Sequence, residues 1–348
     1  MNKEQEMGAS LLHWYDFNAR ILPWRADKNP YRIWISEIML QQTRVEAVKP
    51  YFDRFMKELP DVNALASVDD DKLMKLWEGL GYYNRARNLK IAANEILENY
   101  NGKIPASYDE LISLKGIGMY TAGAIASIAF DVSVPAVDGN VLRVMARVLG
   151  DDSDILKDKT KKEMAKKIIP MISADRPGDF NQALIELGAT VCIPNGEPLC
   201  HQCPWDTVCK AYKEDLTGLL PVKTKKKERR IEHKIVFIFE TKDQILIHKR
   251  GKKGLLAGLW EFPNVEGTGI EEEIKDYLKK YELEDARYEF THNGIHIFSH
   301  IEWHMKGVKI FLENPKPMKD MIWIPKKDLE RIYAIPSAFE LFRNSVKN

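Results

Sequence analysis

All four cysteines of this 348-residue chain fall within one short segment, as Cys192, Cys200, Cys203 and Cys209 in the spacing C-x7-C-x2-C-x5-C. Four thiolates so close in sequence can close around one metal centre. A disulfide framework is disfavoured, because nothing resembling a signal peptide precedes them and a chain of this length needs no staples. Zinc sites usually pair two C-x-x-C knuckles, and only Cys200 and Cys203 make one. The spacing therefore favours an iron–sulfur cluster over zinc, with free thiols as the remaining reading.

Two carboxyls could do glycosyl chemistry. Glu37 stands in Trp34-Ile35-Ser36-Glu37-Ile38-Met39-Leu40-Gln41-Gln42-Thr43. On a helix its neighbours at three and four are Ile33, Trp34, Leu40 and Gln41, three of them apolar. Such a face desolvates the carboxyl and raises its pKa toward neutrality, as a general acid requires. A buried glutamate satisfied by backbone or arginine is the alternative. Asp138, in Pro135-Ala136-Val137-Asp138-Gly139-Asn140, precedes a helix expected over 141–149. It reads as that helix's cap, with backbone donors holding the carboxylate ionised; capping alone would account for it. Together, one carboxyl pushed up and one held down is the arrangement that divides acid and anion roles.

A third element is Leu114-Lys115-Gly116-Ile117-Gly118-Met119-Tyr120-Thr121-Ala122-Gly123-Ala124, a G-x-G turn between two helical stretches. Its glycines can aim backbone amides at a phosphate, with the positive end of the following helix behind them; helix hairpins also use glycine simply for packing.

These residues need a scaffold. At 45% hydrophobic and 30% charged residues the chain has globular composition, long enough for two domains. No apolar run is long enough for a membrane span. A net charge of +1 excludes a general polycation, so any nucleic acid must be held by local features. Apolar residues recur at three and four from Glu4 to about Tyr212, as in Leu73, Leu76, Trp77 and Leu80, which predicts a helical domain over 1–215. A polar, basic linker follows over 216–231. From Ile231 the period becomes two: a hairpin around Thr241, Lys242 and Asp243, a helix near 270–280, further strands and a last helix over 338–346. An α+β domain over 232–348 is expected. There is no internal repeat or low-complexity tract.

The combination resembles the helix-hairpin-helix DNA glycosylases that carry an iron–sulfur cluster, and within them the MutY-type adenine glycosylases. The resemblance runs from about residue 10 to the C-terminus. It rests on Leu22-Pro23-Trp24-Arg25, the Glu37 segment, Gly79-Leu80-Gly81-Tyr82-Tyr83, Val137-Asp138-Gly139-Asn140-Val141 and the cysteine loop. The second domain is similar to that family's Nudix-like recognition domain, with Phe298-Ser299-His300 in place of its F-S-H loop. Two positions depart from the pattern: the cysteine loop carries one extra residue between Cys192 and Cys200, and Lys115 stands where the family commonly has proline.

The resemblance implies an all-α helix-hairpin-helix domain, a four-iron four-sulfur cluster on the four cysteines and a Nudix-like α+β domain. It implies removal of adenine mispaired with 8-oxoguanine or guanine in double-stranded DNA, by a monomer in the bacterial cytoplasm, with no membrane partner. Glu37 would protonate the flipped adenine and Asp138 stabilise the cationic sugar. Tyr120 and Asn140 would hydrogen-bond around them, and Arg25 would position base or acid. Relatives that cut the strand carry a lysine where Tyr120 stands, which implies base removal without efficient lyase activity. Gln42, Thr43, Leu80 and Tyr82 would meet the opposite base, with Tyr82 as a wedge. Gly116 and Gly118 would hold a phosphate, and Phe298, Ser299 and His300 would recognise 8-oxoguanine.

Other readings differ at identifiable residues. His292, His296, His300 and His304 recur every four residues, but the segment alternates like strands, which disfavours a metal site. A Nudix pyrophosphatase needs an R-E-x-x-E-E-x-G helix, and none follows Glu271-Glu272-Glu273. An endonuclease III-like enzyme for oxidised pyrimidines is disfavoured by Tyr120 and the second domain. A non-enzymatic DNA-binding scaffold would show no turnover.

Overall fold

The computed structural model describes residues 2–224 and 228–346. Contacts divide them into two units: residues 2–68 with 84–224, and residues 69–83 with 228–346. The basic-linker positions Lys225, Lys226 and Lys227 lie outside the described residues.

The described helices, in chain order, are α1 (Lys3–Asn18), α2 (Pro30–Leu40), α3 (Val45–Glu58), α4 (Val62–Ser67), α5 (Asp70–Trp77), α6 (Asn84–Tyr100), α7 (Tyr108–Ser113), α8 (Met119–Phe130), α9 (Gly139–Leu149), α10 (Asp158–Ile168), α11 (Pro177–Thr190), α12 (Lys210–Lys213), α13 (Glu271–Lys279) and α14 (Glu340–Val346). All but α5, α13 and α14 belong to the first unit.

In that unit α8 is the central helix. Its sequence MYTAGAIASIAF is small and apolar, and it is buried from Thr121 to Ile128 while packing on α2, α7 and α11. Small side chains let neighbouring backbones approach closely. At the crossing of α11 with the start of α9, a Cβ on Gly188 would lie 2.6 Å from Asn140 Cβ, so only glycine fits there. The start of α2 is fixed locally. Asn29 caps it by accepting from the N–H groups of Tyr31 and Arg32 (2.9 and 3.2 Å), and Pro30 supplies a pre-set first position. A core of Leu11, Val141, Met145, Ile168, Phe180, Leu184 and Trp205 joins α1, α9, α10 and α11 to the cysteine loop. Trp205 Nε1 donates to the Met7 carbonyl at 3.0 Å.

The second unit is a mixed sheet in the order β3-β2-β1-β6-β5, with β4 pairing β1 and β7 pairing β2. The strands are β1 (Arg230–Glu240), β2 (Gln244–Lys249), β3 (Trp260–Glu261), β4 (Asn264–Glu266), β5 (Tyr288–Ile297), β6 (Ile301–Phe311) and β7 (Met321–Pro325). β1 and β6 run parallel, with Ile235 opposite Lys306; the other pairs are antiparallel. The hairpin around residues 241–243 is present as β1 and β2. β1 is apolar on both sides because both are covered. Val236 and Ile238 face Trp303, Phe339 and Phe342, while Ile235, Phe237 and Phe239 face Ile274, Tyr277 and Leu278 of α13.

Residues 69–83, whose helical period groups them with the first domain in the sequence, associate with the sheet through polar contacts. Asp71 accepts from Lys249 Nζ (2.7 Å) and Trp260 Nε1 (3.1 Å), and Glu78 accepts from the Ile335 N–H (3.0 Å). Among the described residues no helix is long and apolar enough to cross a membrane.

Candidate active site

Glu37 sits on the inward face of α2, 8% exposed. Tyr120, in the first turn of α8, donates its hydroxyl to Glu37 Oε2. Burial pushes the Glu37 carboxyl up to about 7. The Tyr120 hydrogen bond pulls it down, Asp138 pushes it up further, and Arg25 pulls it down. Burial also raises the Tyr120 hydroxyl well above its ordinary value, so it stays a donor. A neutral carboxyl available near pH 7 is a proton donor in waiting.

Asp138 caps α9, accepting from the Val141 N–H at 2.8 Å through Oδ1 and from Asn140 Nδ2 at 2.6 Å through Oδ2. The cap forms as the sequence predicts, but its electrostatic consequence does not. Burial outweighs the backbone and Asn140 donors, and the Asp138 carboxyl lies above, not below, its ordinary range. The donors still favour its anion, and a cation placed beside it would favour it further.

Residues that the sequence reading passes over hold this pair. Arg143, one turn along α9, donates to Asn140 Oδ1 (2.9 Å), the Gly188 carbonyl (2.7 Å) and the Cys192 carbonyl (2.8 Å). Asn181 on α11 accepts from the Ala136 N–H (2.9 Å) and donates to the Val134 carbonyl (2.8 Å), fixing the extended segment that leads into Asp138. Arg85 on α6 donates to the carbonyls of Ile38 and Gln41, both at 2.6 Å, closing the C-terminal end of α2. Their sequence signal is a polar residue inside an otherwise apolar helical face.

Arg25 lies in a 3-10 turn over Pro23–Arg25. Its guanidinium reaches Glu186 Oε2 at 2.9 Å and lies 5.7 Å from the Tyr15 ring centroid. Arg20, Leu22, Arg25 and Tyr15 line an open cavity of ≈ 600 Å³, large enough for a purine base.

The hairpin lies between α7 and α8. Gly116 has φ +79°, and a Cβ there would meet Asn88 Cβ at 2.6 Å. Gly118 caps α8 with nothing near its missing Cβ, and both glycines are exposed. Amides at the start of α8 are therefore accessible to an anion. Gln42, exposed with φ +64°, and half-buried Thr43 form the turn after α2. In the second unit Leu80 is buried, while Tyr82 is 56% exposed with φ +47°, a conformation rare for a bulky residue. Phe298 is half-buried against Trp303 and His296 (ring centroids 4.9 and 4.6 Å apart), leaving Ser299 and His300 exposed at the β5–β6 turn.

The four cysteines form no disulfide and line one small pocket with Val144, Arg147 and Tyr212. Among the described residues no three Cys, His, Asp or Glu side chains converge as a single-ion site. Four thiols gathered at one pocket are a donor set that an iron–sulfur cluster uses. Arg147 Nη1 donates to Cys192 Sγ at 3.3 Å and the Trp205 N–H to Cys203 Sγ at 3.4 Å. Burial pushes the Cys203 thiol up to about 12, so a thiolate there needs a cation. Within the loop between Cys192 and Cys200, residues 194–197 are exposed, a stretch that can absorb an additional residue.

Residues 35–170 match the HhH-GPD superfamily of base excision DNA repair proteins, and residues 235–344 match the NUDIX domain. The chain is 34% identical over 398 residues to adenine DNA glycosylase of Schizosaccharomyces pombe, covering 93% of this chain and 86% of that protein. It belongs to the adenine DNA glycosylases. The Buchnera aphidicola (subsp. Schizaphis graminum) member is 36% identical, covering 92% of this chain and 93% of its own. A thermostable thymine-DNA glycosylase structure matches 61% of this chain and 97% of its own, at TM-score 0.56 and 26% identity. A non-covalent endonuclease III–DNA complex matches 62% and 99%, at TM-score 0.52 and 25% identity. The HhH-GPD match spans Glu37, the hairpin and Asp138, and the NUDIX match spans the Ser299 turn. This glycosylase therefore carries both of the domains that its sequence suggests.

Proposed function

We propose that this adenine DNA glycosylase acts as a monomer on duplex DNA, removing adenine paired with 8-oxoguanine or guanine without cutting the strand. The observation that carries this reading is the Glu37 carboxyl, buried, hydrogen-bonded by Tyr120 and held near pKa 7 beside Asp138. All of these groups come from one chain.

Adenine must leave the stack to react, because its glycosidic bond is enclosed in the duplex. The flipped base enters beside Arg25, which lines an open cavity with Arg20 and Leu22 and acts electrostatically on Glu37, and Glu37 delivers its proton to N7. The C1′–N9 bond breaks, its electron pair leaves with the protonated base, and positive charge develops on the sugar. The Asp138 carboxylate, aligned by Asn140, stabilises that cation through space, or by a transient bond to C1′ that breaks when water adds there. Glu37, now a carboxylate, takes a proton from the water that adds to C1′. Tyr120 offers no amine for a Schiff base, which supports hydrolysis without strand cleavage. Amides of Gly116 and Gly118 at the start of α8 hold a phosphate. Gln42, Thr43, Leu80 and Tyr82 meet the opposite base, and Phe298, Ser299 and His300 read 8-oxoguanine.

Cys192, Cys200, Cys203 and Cys209 hold a four-iron four-sulfur cluster, which when bound locks their loop and supplies positive charge to its thiolates. Arg143 ties that loop to Asn140 through the Cys192 carbonyl.

The test is incubation with duplexes carrying adenine opposite 8-oxoguanine, adenine opposite guanine, or an oxidised thymine, each resolved with and without hot alkali. Breaks at adenine that need alkali are the expected result. Breaks at the oxidised thymine without alkali would move the chain to the lyase branch.

A further inference from the structure

Glu186 lies on α11 with its side chain fully enclosed, 0% exposed. Its carboxylate accepts from Nε and Nη2 of Arg20, the latter at 3.1 Å, from the Arg20 N–H at 3.2 Å and from Arg25 Nη2 at 2.9 Å. Arg25 Nη1 donates in turn to the Arg20 carbonyl at 3.2 Å. Both arginines line the cavity assigned to the base, yet the proposed chemistry leaves Glu186 without a task. A buried carboxylate with two guanidiniums is sensitive to loss of any member, since the survivors keep uncompensated charge.

The cluster touches the acid–base chemistry through Arg25. The groups that face Glu37 are Tyr120 from α8, Asp138 from the start of α9 and Arg25 from the 3-10 turn. Of these only Arg25 is cationic, and its pull favours the Glu37 carboxylate. Glu186 in turn holds Arg25 through the 2.9 Å contact with its Nη2. Tyr15 of α1, with Asp179 and Arg176 beyond it, completes the surroundings of the cluster.

We infer that Glu186 is a positioning residue for base release: its carboxylate pins Arg20 and Arg25 into the wall of the cavity and offsets their charge there. The inference rests on the acid role proposed for Glu37. Without Glu186 the bare guanidiniums favour the Glu37 carboxylate, and the acid is lost at a lower pH. Without Arg20 the remaining Glu186–Arg25 pair is neutral, and the acid persists to a higher pH.

The experiment is single-turnover adenine release from an adenine:8-oxoguanine duplex with enzyme in excess, from pH 5.5 to 9. It compares the wild type with Glu186→Gln and Arg20→Gln, with melting curves to establish folding. Wild-type rates should fall as pH rises through about 7. In Glu186→Gln the fall should move about 0.5 to 1 unit toward acid, giving a ~3- to 10-fold loss at pH 8 and little at pH 5.5. Arg20→Gln should move it the opposite way. A loss of equal factor at every pH, or an unchanged profile, would overturn the inference. If Glu186→Gln does not fold, the Arg20→Gln profile decides alone: an alkaline shift supports the inference, and a uniform loss or unchanged profile overturns it. Absence of adenine release by the wild type at every pH would overturn the acid role of Glu37 and this inference with it.

Discussion

Asn140 Nδ2 donates to Asp138 Oδ2 at 2.6 Å, two residues along the chain that begins α9. Asn140 is itself held from the other side by Arg143 Nη2 at 2.9 Å, and its backbone fits against Gly188. The amide is thus pre-aligned before any substrate arrives, and together with the Val141 N–H on Oδ1 it fixes the orientation of the Asp138 carboxyl. Asn140→Ala removes this alignment while leaving the Val141 N–H cap. Base release should slow roughly 10- to 100-fold at saturating enzyme, the scale of a displaced reacting group, with duplex affinity little changed. Gel-shift and single-turnover measurements on the same duplex separate the two effects; equal losses in both would remove Asn140 from the chemical step.

Glu37 carries a second consequence, in stability. Its folded pKa, about 7, lies above the ordinary glutamate value. Between those two values the native state binds a proton that the unfolded chain has released, so stability falls as pH rises across that window. The loss is complete above pH 7 and amounts to ~3 kcal/mol at most, an order-of-magnitude figure from the size of the shift. Glu37→Gln, which never ionises, should therefore melt higher than the wild type at pH 8, with the advantage shrinking toward pH 5. Calorimetry at both pH values checks the sign; a difference in melting temperature that does not change with pH would contradict it.

Much of this site is legible in the sequence because its decisive features are local. The apolar neighbours of Glu37 at helical spacing indicate its burial, and Asp138 ahead of 141–149 indicates a cap; both occur. The change from period 3.6 to period 2 at Ile231 marks the sheet. The failures are non-local. Capping is a contact three residues long, but the burial that raises Asp138 comes from the rest of the fold. Glu186 meets Arg20 across 166 positions and Asn181 meets Ala136 across 45, separations that no periodicity encodes. Residues 69–83 join the sheet through Asp71 and Glu78, whose partners Trp260 and Ile335 lie far downstream.

The cysteine loop gives a chemical prediction. The purified protein should contain about four iron atoms and as much acid-labile sulfide per chain, the composition of a four-iron four-sulfur cluster. Cys203→Ser removes the thiol whose burial most requires a cation. It should lower iron content and, because Arg143 and Arg147 reach from α9 to this loop, reduce thermal stability as well. Zinc in place of iron in protein prepared without oxygen would overturn the cluster assignment.

Ser299 offers the sharpest test of how the second domain contributes. The turn that carries it is anchored by Phe298, packed edge-on to both His296 and Trp303, and closed by the Phe298 N–H donating to the Ile301 carbonyl at 2.8 Å. The anchor leaves the Ser299 hydroxyl at the surface, where its only described partner is the adjacent His300 ring at 3.2 Å. A hydroxyl so presented can exchange that weak neighbour contact for a hydrogen bond to a base edge, worth about 1 kcal/mol net. Ser299→Ala should therefore narrow the preference for adenine opposite 8-oxoguanine over adenine opposite guanine by roughly 5-fold. Release from the guanine mispair should be nearly unchanged, because guanine lacks the oxidised edge. The anchor makes a second outcome predictable: Phe298→Ala frees the turn and should lower the preference further than loss of the hydroxyl alone. Competition between the two duplexes in one tube measures the ratio directly, and an unchanged ratio in both variants would take this turn out of opposite-base recognition.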